Sequence, residues 1–363
     1  MRDAVRFRTL TAKNVAGGAC LAVTTVPGGA IACFLAGTEA ERVSSELGSA
    51  LLAFRQVGSG FRAKLSKAFG EGDPAEAGFV AGRRVVLATR HGQSASALRK
   101  WLGYHAAYGF DAALIFDRAP PDMADVFAGS FDAPEGMRVL FVAADRPMGR
   151  PGTPDARDPA LAPGAPPGSA PHLPVSPWHA PLSEPVLFEA LRHRFLADAD
   201  VVAQLEPTDF LLPTANGLIG RAHEAAGKSL SLIGREAYPI SIPGEERGLA
   251  GHIYTRRDER RWLVSWAAAL SDLPHSAIIR PGGVSGVADE LPALPFVRAM
   301  AAVFPTAGLD EIVDRSNLVE DREISRAVEA YLGRPQRRRP PRVPIGGDHP
   351  VTVVTTMRNE GPY

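Results

Sequence analysis

The sequence predicts an α/β protein with a mostly parallel, doubly wound sheet that has helices on its flanks. The main observation is a pair of strand–helix–strand steps in series within residues 83–143. A second observation is that further apolar runs of strand length follow a later helix. Strands that alternate with helices along a chain are typical of parallel sheets, because the helices form the crossovers.

Composition sets broad limits on function. The 363 residues are 45% hydrophobic and 22% charged, as is ordinary for a globular protein with a substantial core. Acidic and basic residues number 40 each, so no overall field would draw nucleic acid to the chain. There is no apolar run of about 18 residues and no secretory signal at the start, so we expect a cytoplasmic protein without a transmembrane segment.

Residues 1–80 are expected to form a small extension of strands and one helix. A β-hairpin is predicted to turn at Pro27-Gly28-Gly29, after a first strand with the sequence VRFRTL. Apolar residues at helical spacing predict a helix over residues 39–69. The Gly- and Pro-containing residues 70–78 form the linker to a main domain, which we place at residues 83–332.

The main domain opens with the two strand–helix–strand steps. Residues 83–89 are a buried type of strand, and Ser94–Tyr108 form a helix with Trp101 and His105 on its apolar stripe. Residues 112–116 and 137–143 are the next two strands. The later predicted strands are 201–205, 229–233, 251–257, 261–266 and 276–280, and a last helix is predicted from about 318 to 332.

Two segments are too rich in Pro to pack a core. Residues 147–185 are dominated by Pro, Gly and Ala, which predicts a long loop or insertion. Residues 333–344 are a basic, Pro-rich linker, which begins the C-terminal region 333–363. Residues 334–342 could contact anionic lipid at a membrane surface, although a solvated linker explains them as well.

Acidic residues follow several of the predicted parallel strands. Asp117, Asp145 and Glu206 each end a strand, and Asp209 comes three residues after Glu206. The carboxyl ends of parallel strands form the ligand-binding edge of an open sheet. Carboxylates there suit a nucleoside, a ribose hydroxyl or a cation that carries a diphosphate, although acids also cap strand ends without any function.

One Gly-rich turn could bind phosphate. Arg280 precedes Pro-Gly-Gly after a predicted strand, so its guanidinium and the turn amides could hold an anion, unless this is a plain turn. The sequence has no Walker loop, no Cys/His metal spacing, no Gly-x-Ser-x-Gly elbow and no dinucleotide fingerprint after the first main-domain strand. These absences weigh against kinases, hydrolases and dehydrogenases.

Three segments resemble nucleotide-sugar glycosyltransferases of the GT-A fold, most closely families 2 and 92. In that pattern a strand leads into Asn-Glu, then a helix with Glu-Trp and Tyr-His, then Gly, then a strand ending in Asp. Trp101, Tyr104-His105, Gly109 and Asp117 match it. The matching segments are 85–122, 201–213 and 351–363. The last one keeps Asn359-Glu360, which predicts that a second such domain begins there and continues past Tyr363.

The resemblance implies roles for several residues. The segment from Glu206 to Phe210 lies where the family has its Asp-x-Asp-Glu-Phe metal motif, which makes Glu206 and Asp209 candidate ligands for Mn²⁺ or Mg²⁺. His275 could complete that site, as a late histidine does in some GT-A enzymes. Glu320-Asp321 resembles the acidic pair that supplies the general base, although acids are also favoured near a helix N-terminus. Asp209 is a third candidate for the base.

The sequence also departs from the family pattern. His91-Gly92 stands where the family has Asn-Glu, and Thr208 stands where it has a carboxylate ligand. A neutral hydroxyl compensates the charge of a divalent cation poorly. The sequence therefore leads to two hypotheses. The first is a glycosyltransferase that moves a sugar from a nucleotide-sugar to a glycan or other hydroxyl acceptor, and the second is a non-catalytic sugar- or nucleotide-binding module.

Overall fold

A computed structural model describes most of the region between residues 78 and 236 and shorter segments elsewhere. The described residues are 4–15, 18–26, 29–34, 51–54, 78–148, 178, 184–212, 215, 217–225, 227–236, 254–256, 263–273, 278–280, 283–285, 294–298 and 318–320.

The described residues form seventeen strands and four α-helices. The strands are β1 (Val5–Leu10), β2 (Lys13–Val15), β3 (Gly18–Val26), β4 (Gly29–Phe34), β5 (Leu51–Phe54), β6 (Arg84–Arg90), β7 (Ala112–Asp117), β8 (Arg138–Ala144), β9 (Val201–Gln204), β10 (Asp209–Leu211), β11 (Leu230–Glu236), β12 (Tyr254–Arg256), β13 (Leu263–Ala268), β14 (Ile278–Arg280), β15 (Gly283–Ser285), β16 (Leu294–Arg298) and β17 (Leu318–Glu320). The helices are α1 (Ala95–Ala106), α2 (Pro121–Ser130), α3 (Glu184–Phe195) and α4 (Leu218–Glu224).

Nine strands form one large sheet in the order β1-β8-β7-β6-β9-β13-β11-β16-β10. The first five of these strands are all parallel to one another. Beyond β9 the sheet is mixed, because β13 and β10 run antiparallel to their neighbours. The predicted α/β fold, with a mostly parallel sheet flanked by helices, is therefore confirmed.

The chain reverses its direction of travel across the sheet between β8 and β9. It moves outward from β6 to β7 and then β8, and it returns to place β9 on the opposite side of β6. Helices α1, α2 and α4 pack on one face of the sheet, whereas α3 packs on the other face. The reversal makes the carboxyl ends of β6 and β9 a topological switch point, the place where open α/β sheets bind ligands.

Local sequence explains why α1 begins and ends where it does. The Ser94 side chain caps its N-terminus by accepting a hydrogen bond from the Ala97 amide at 3.2 Å. The chain leaves the helix through Gly109, whose φ of 94° few other residues adopt. The buried side of the helix follows the predicted stripe, with Leu98, Trp101, Leu102, Tyr104 and His105 facing the core.

A separate four-stranded antiparallel sheet lies near the N-terminus, in the order β2-β3-β4-β5. β3 and β4 pair antiparallel, with Val26 opposite Gly29, so the two strands of the predicted hairpin are confirmed. Helix α3 contacts β3 and β4 of this sheet while its other side packs on the large sheet. No helix of the described segments has the length and apolar character to cross a membrane.

Three predictions of local structure need correction. Strand β1 was expected in an N-terminal extension, but it pairs in parallel with β8 and so extends the large sheet. Residues 51–54 belong to strand β5, which pairs with β4, and not to a helix over 39–69. Residues 318–320 form strand β17, which pairs with β12, and so do not begin a helix. Short apolar runs fit either periodicity, and the partner strand decides between them.

Candidate functional site

The switch point is bordered by a histidine and a glutamate. His91 follows the last residue of β6, and Glu206 comes two residues after β9. The parallel register of the two strands, in which Leu87 pairs with Gln204, places both residues at the same edge. Their side chains are almost fully buried, at 5% and 6% exposure, and His91 Nε2 lies 3.5 Å from Glu206 Oε2.

Arg118 fixes the orientation of the His91 ring. Its Nη1 lies 3.2 Å from His91 Nδ1. Because an arginine only donates, Nδ1 must be the acceptor in this bond. In the neutral ring the proton is then on Nε2, which faces Glu206. The His91 amide also donates to Gln93 Oε1 at 2.6 Å, which closes the turn after β6.

A residue of the Pro-rich segment also reaches this edge. Arg118 Nε donates to the backbone carbonyl of Trp178 at 3.2 Å. Trp178 is the one described residue between 149 and 183, and it is partly buried. Trp178, which lies in the segment predicted to be a long loop, therefore contacts an arginine at this edge of the sheet.

Asp117 is held by its neighbours on both carboxylate oxygens. Arg90 Nη1 donates to Oδ2 at 2.7 Å, and the Ala119 amide donates to Oδ1 at 3.0 Å. The Arg90 guanidinium is itself fixed, because its carbon lies 3.5 Å from the centre of the Phe127 ring. Asp117 is 1% exposed. The predicted donor-binding acid is thus at the expected edge but is engaged in a buried ion pair.

Asp209 forms a two-point ion pair with Arg298. Arg298 Nε and Nη2 donate to its two oxygens at 2.6 and 2.8 Å. The Glu206 amide donates to the same carboxylate at 3.0 Å, so the turn from 206 to 209 is closed by its own side chain. Complete burial raises the pKa of Asp209, and the attraction to Arg298 opposes that shift.

Aromatic residues of α1 and of the turn after it hold the segment from 206 to 211 against the sheet. Trp101 Nε1 donates to the Asp209 carbonyl at 2.7 Å, and the hydroxyl groups of Tyr104 and Tyr108 donate to the Leu211 carbonyl, from Tyr108 at 2.8 Å. Burial raises the pKa of Tyr104 and of Tyr108, so both hydroxyls remain donors. Trp101 and Tyr104 of α1, together with Tyr108 just after the helix, therefore position Asp209 and, through the turn, Glu206.

His105 is a core residue and not part of the site. It is fully buried, and its Nδ1 lies 2.9 Å from the Trp101 carbonyl, so Nδ1 carries the proton. Its Nε2 has no hydrogen-bond partner. Burial lowers the pKa of His105 to about 4, which keeps the ring neutral near pH 7.

Asp145 lies at the same edge but away from the switch point. It follows β8, three strands along the sheet from β9. Its Oδ1 accepts hydrogen bonds from the Ala12 amide at 3.2 Å and from Arg146 Nε at 3.4 Å. These contacts tie the end of β8 to the chain that leaves β1, so the structure does not bring Asp145 together with Glu206.

The remaining predicted site residues lie elsewhere or outside the described residues. Arg280 ends β14, which forms a separate two-stranded ladder with β15. Glu320 ends β17, in another separate ladder with β12. His275 and Asp321 lie outside the described residues, so their predicted roles stay predictions.

The two predicted metal ligands, Glu206 and Asp209, both face basic side chains. Glu206 faces His91, Asp209 is paired with Arg298, and the neutral Thr208 between them is 4% exposed. Within the described ranges, no group of three or more His, Cys, Asp or Glu side chains is arranged to hold a metal ion. The roles of Glu206 and Asp209 as ligands of Mn²⁺ or Mg²⁺ therefore stay predictions.

The basic residues of the site were not found from the sequence. Arg90 and Arg118 each lie beside a predicted feature, one at the end of β6 and the other directly after Asp117. Charged residues at successive strand ends are a signal that could have identified both. Arg298 is 89 residues from its partner Asp209, and no local pattern predicts that contact.

Comparison with known proteins gives little further information. No protein-family model matches the sequence, and no curated protein matches it. Among solved structures, the crystal structure of HddC from Yersinia pseudotuberculosis aligns with 59% of this chain and 89% of its own, at 11% sequence identity and a TM-score of 0.25. A likeness at that TM-score carries no argument about fold or function.

Proposed function

We propose that this chain contains a GT-A-like domain that binds a nucleotide-sugar at the carboxyl edge of its parallel sheet and transfers the sugar to a hydroxyl acceptor. The observation that supports this most directly is the pair His91 and Glu206 at the switch point. Buried polar and charged groups at a strand edge are costly unless they are paired, and here they lie where ligands bind in this class of sheet.

The transfer would form a bond between the acceptor oxygen and the anomeric carbon of the sugar. The bond from that carbon to the diphosphate breaks at the same centre, and the diphosphate leaves with the bonding electrons. The acceptor proton passes to a base. Asp209 is poorly placed for that role, because it is fully buried and both of its oxygens are paired with Arg298.

The alternative is a non-catalytic module that binds a sugar or nucleotide and serves an active domain. A specific observation favours it. Asp117 and Asp209, two acids that the family pattern implies for the donor site, are both locked in buried ion pairs with arginines. Thr208 adds no charge between Glu206 and Asp209. This arrangement stabilises the fold at the edge of the sheet and can exist without turnover.

Isothermal titration calorimetry of the whole chain with UDP and GDP, with and without Mn²⁺, tests the donor site. We expect binding heat with at least one nucleotide, weakened in Glu206→Gln and unchanged in Glu135→Gln, which alters an exposed glutamate of the same domain. Absence of heat under every condition would remove the donor-site proposal.

Turnover separates the two candidate functions. A panel of UDP- and GDP-sugars would be incubated with the chain, and the released nucleotide would be measured. Release that depends on an added hydroxyl acceptor supports the transferase. Binding without release from any donor in the panel supports the non-catalytic module.

A further inference from the structure

We propose that strand β1 is a docking site for an extended, acidic segment of a partner protein, which adds to the free edge of the large sheet as one more strand. The site is separate from the proposed nucleotide site, because β1 lies at one side of the sheet, three strands away from β6. Two features carry the proposal, namely the unpaired side of β1 and three arginines that border it.

The outer side of β1 has no partner strand within the described segments. β1 is the last strand at its end of the sheet and pairs with β8. The carbonyls of Ala4 and Leu10 accept hydrogen bonds from β8 and from the residue after it, at 2.7 and 3.1 Å. Main-chain groups of successive residues point to opposite sides of a strand, so the even-numbered residues face β8. The N–H and C=O groups of Val5, Phe7 and Thr9 therefore face outward.

Arg8 already lies along this free edge. Its Nη1 donates to the outward-facing carbonyl of Phe7 at 2.9 Å. A single hydrogen bond of this kind contributes little net free energy, so a main-chain N–H of a docking strand can replace it. The displaced guanidinium then lies beside the new strand, where it can bind a carboxylate.

Two more arginines lie on the same face of the sheet as Arg8. Phe7 packs on the side of α1, α2 and α4, so Arg6 and Arg8, which flank it in the strand, point to the opposite face. The guanidinium carbons of Arg6 and Arg138 lie 4.6 and 5.6 Å from the centre of the Phe79 ring. Phe79 is buried, so one fixed ring orients both guanidinium groups.

None of these three arginines is paired with a carboxylate in the part of the chain that the structure describes. Arg8 and Arg138 donate to backbone carbonyls at 2.9 and 3.1 Å, and Arg6 contacts the uncharged ring. Arg90 and Arg298, in contrast, each pair with a buried aspartate. The edge thus combines unpaired main-chain groups with uncompensated positive charge. A strand that has carboxylates at alternate positions complements both, because all its carboxylates face the arginines.

The same features disfavour two other occupants. If β1 paired with β1 of a second copy, Arg6 and Arg8 would lie across from the arginines of that copy, and like charges in cross-strand positions are destabilising. A single-stranded nucleic acid matches the positive charge, but it does not present the alternating donors and acceptors with which an edge strand pairs.

Fluorescence polarisation of a labelled peptide with the core Glu-Val-Glu-Thr-Glu-Val, mixed with the whole chain, measures docking. We expect saturable binding with a Kd below about 100 μM. A control peptide of the same composition with its three glutamates adjacent should bind at least about tenfold more weakly, because its carboxylates fall on both faces of a strand. Oligothymidylate of equal charge should not compete with the alternating peptide.

Two variants of the chain separate the contribution of charge from that of main-chain pairing. Arg6→Gln combined with Arg8→Gln should weaken binding at least about fivefold, as expected for the loss of two exposed ion pairs. Thr9→Pro removes an outward N–H but none of the hydrogen bonds to β8, so it should abolish binding while circular dichroism shows a folded chain. Arg99→Gln alters an exposed arginine on α1 and should bind like the wild type.

Four results would overturn the proposal. They are absence of saturable binding by the alternating peptide, equal binding by the adjacent-glutamate peptide, unchanged binding by the double arginine variant, and full competition by oligothymidylate. If Thr9→Pro does not fold, an alternating peptide with N-methylated amides replaces it, and undiminished binding of that peptide rejects strand addition. Each of these results leaves the proposed function intact, because nucleotide binding is measured separately and at another edge of the sheet.

Discussion

Replacing Arg298 by methionine should destabilise the protein strongly. The substitution keeps a long unbranched side chain but removes both donors to Asp209, at 2.6 and 2.8 Å. Asp209 is completely buried. Of the hydrogen bonds to its carboxylate described above, the one from the Glu206 backbone amide at 3.0 Å would remain. Leaving a buried charge without its partner costs about 3–5 kcal/mol, so we expect a loss of that size in the free energy of unfolding.

Urea unfolding at pH 7 measures this loss, and the double variant Arg298→Met with Asp209→Asn supplies the control. Asparagine carries no charge, so the double variant should recover at least half of the lost stability. The pH adds a second check. Burial raises the pKa of Asp209, and without Arg298 that pKa rises further. In the variant, Asp209 has a higher pKa in the folded protein than in the unfolded chain, so the folded state binds its proton first as the pH falls. The loss in free energy of unfolding caused by Arg298→Met should therefore shrink between pH 7 and pH 5.

The reasoning would be refuted by a loss below about 1 kcal/mol that does not change with pH, since an exposed ion pair behaves in that way. A double variant as unstable as Arg298→Met would also refute it, because the uncompensated charge would then not be the cause.

Three further predictions concern stability, measured by urea unfolding. Gly234→Ala should cost at least about 1–3 kcal/mol, because a Cβ at Gly234 would overlap the buried Phe296 ring, whereas Gly103→Ala in open space on α1 should be neutral or stabilising. His105→Phe should remove a pH dependence. The folded pKa of about 4 lies below the usual 6.5, so the wild type loses about 2 kcal/mol more than the variant between pH 7 and pH 5. Thr89→Val should stabilise by about 1 kcal/mol, because the buried Thr89 hydroxyl has no hydrogen-bond partner, and a loss of stability would contradict this.

Local patterns in the sequence were sufficient for the centre of the large sheet. The apolar stripe with Trp101 and His105 predicted both the helix and its buried side, and the structure confirms them. The apolar runs around residues 85 and 112 predicted β6 and β7, which lie side by side in the sheet. The helix buries one continuous apolar stripe, and each of the two strands is a continuous apolar run. Their structure can therefore be predicted with little information about distant partners.

Long-range pairing could not be predicted in the same way. Strand β1 joins β8 across more than a hundred residues, and nothing in its six residues specifies a parallel partner. The four residues of β5 are apolar throughout, so they fit a helix stripe or a strand equally well until β4 supplies hydrogen bonds. In both elements the partner strand decides the structure.

The candidate site was likewise predicted in part, from local patterns but not from long-range contacts. Acids at strand ends were predicted, and Asp117 and Glu206 do lie at the carboxyl edge around β6 and β9. That Arg90 pairs with Asp117 and that His91 faces Glu206 was not predicted. Partner identity depends on side-chain geometry across neighbouring strands, which a linear pattern does not contain.

The most direct test of the account is a crystal structure of the chain soaked with the nucleoside diphosphate that gives binding heat. The account predicts density for the diphosphate between the carboxyl ends of β6 and β9, at the switch point that His91 and Glu206 border. Nucleotide bound at any other surface, such as the end of β8 beside Asp145, would contradict it.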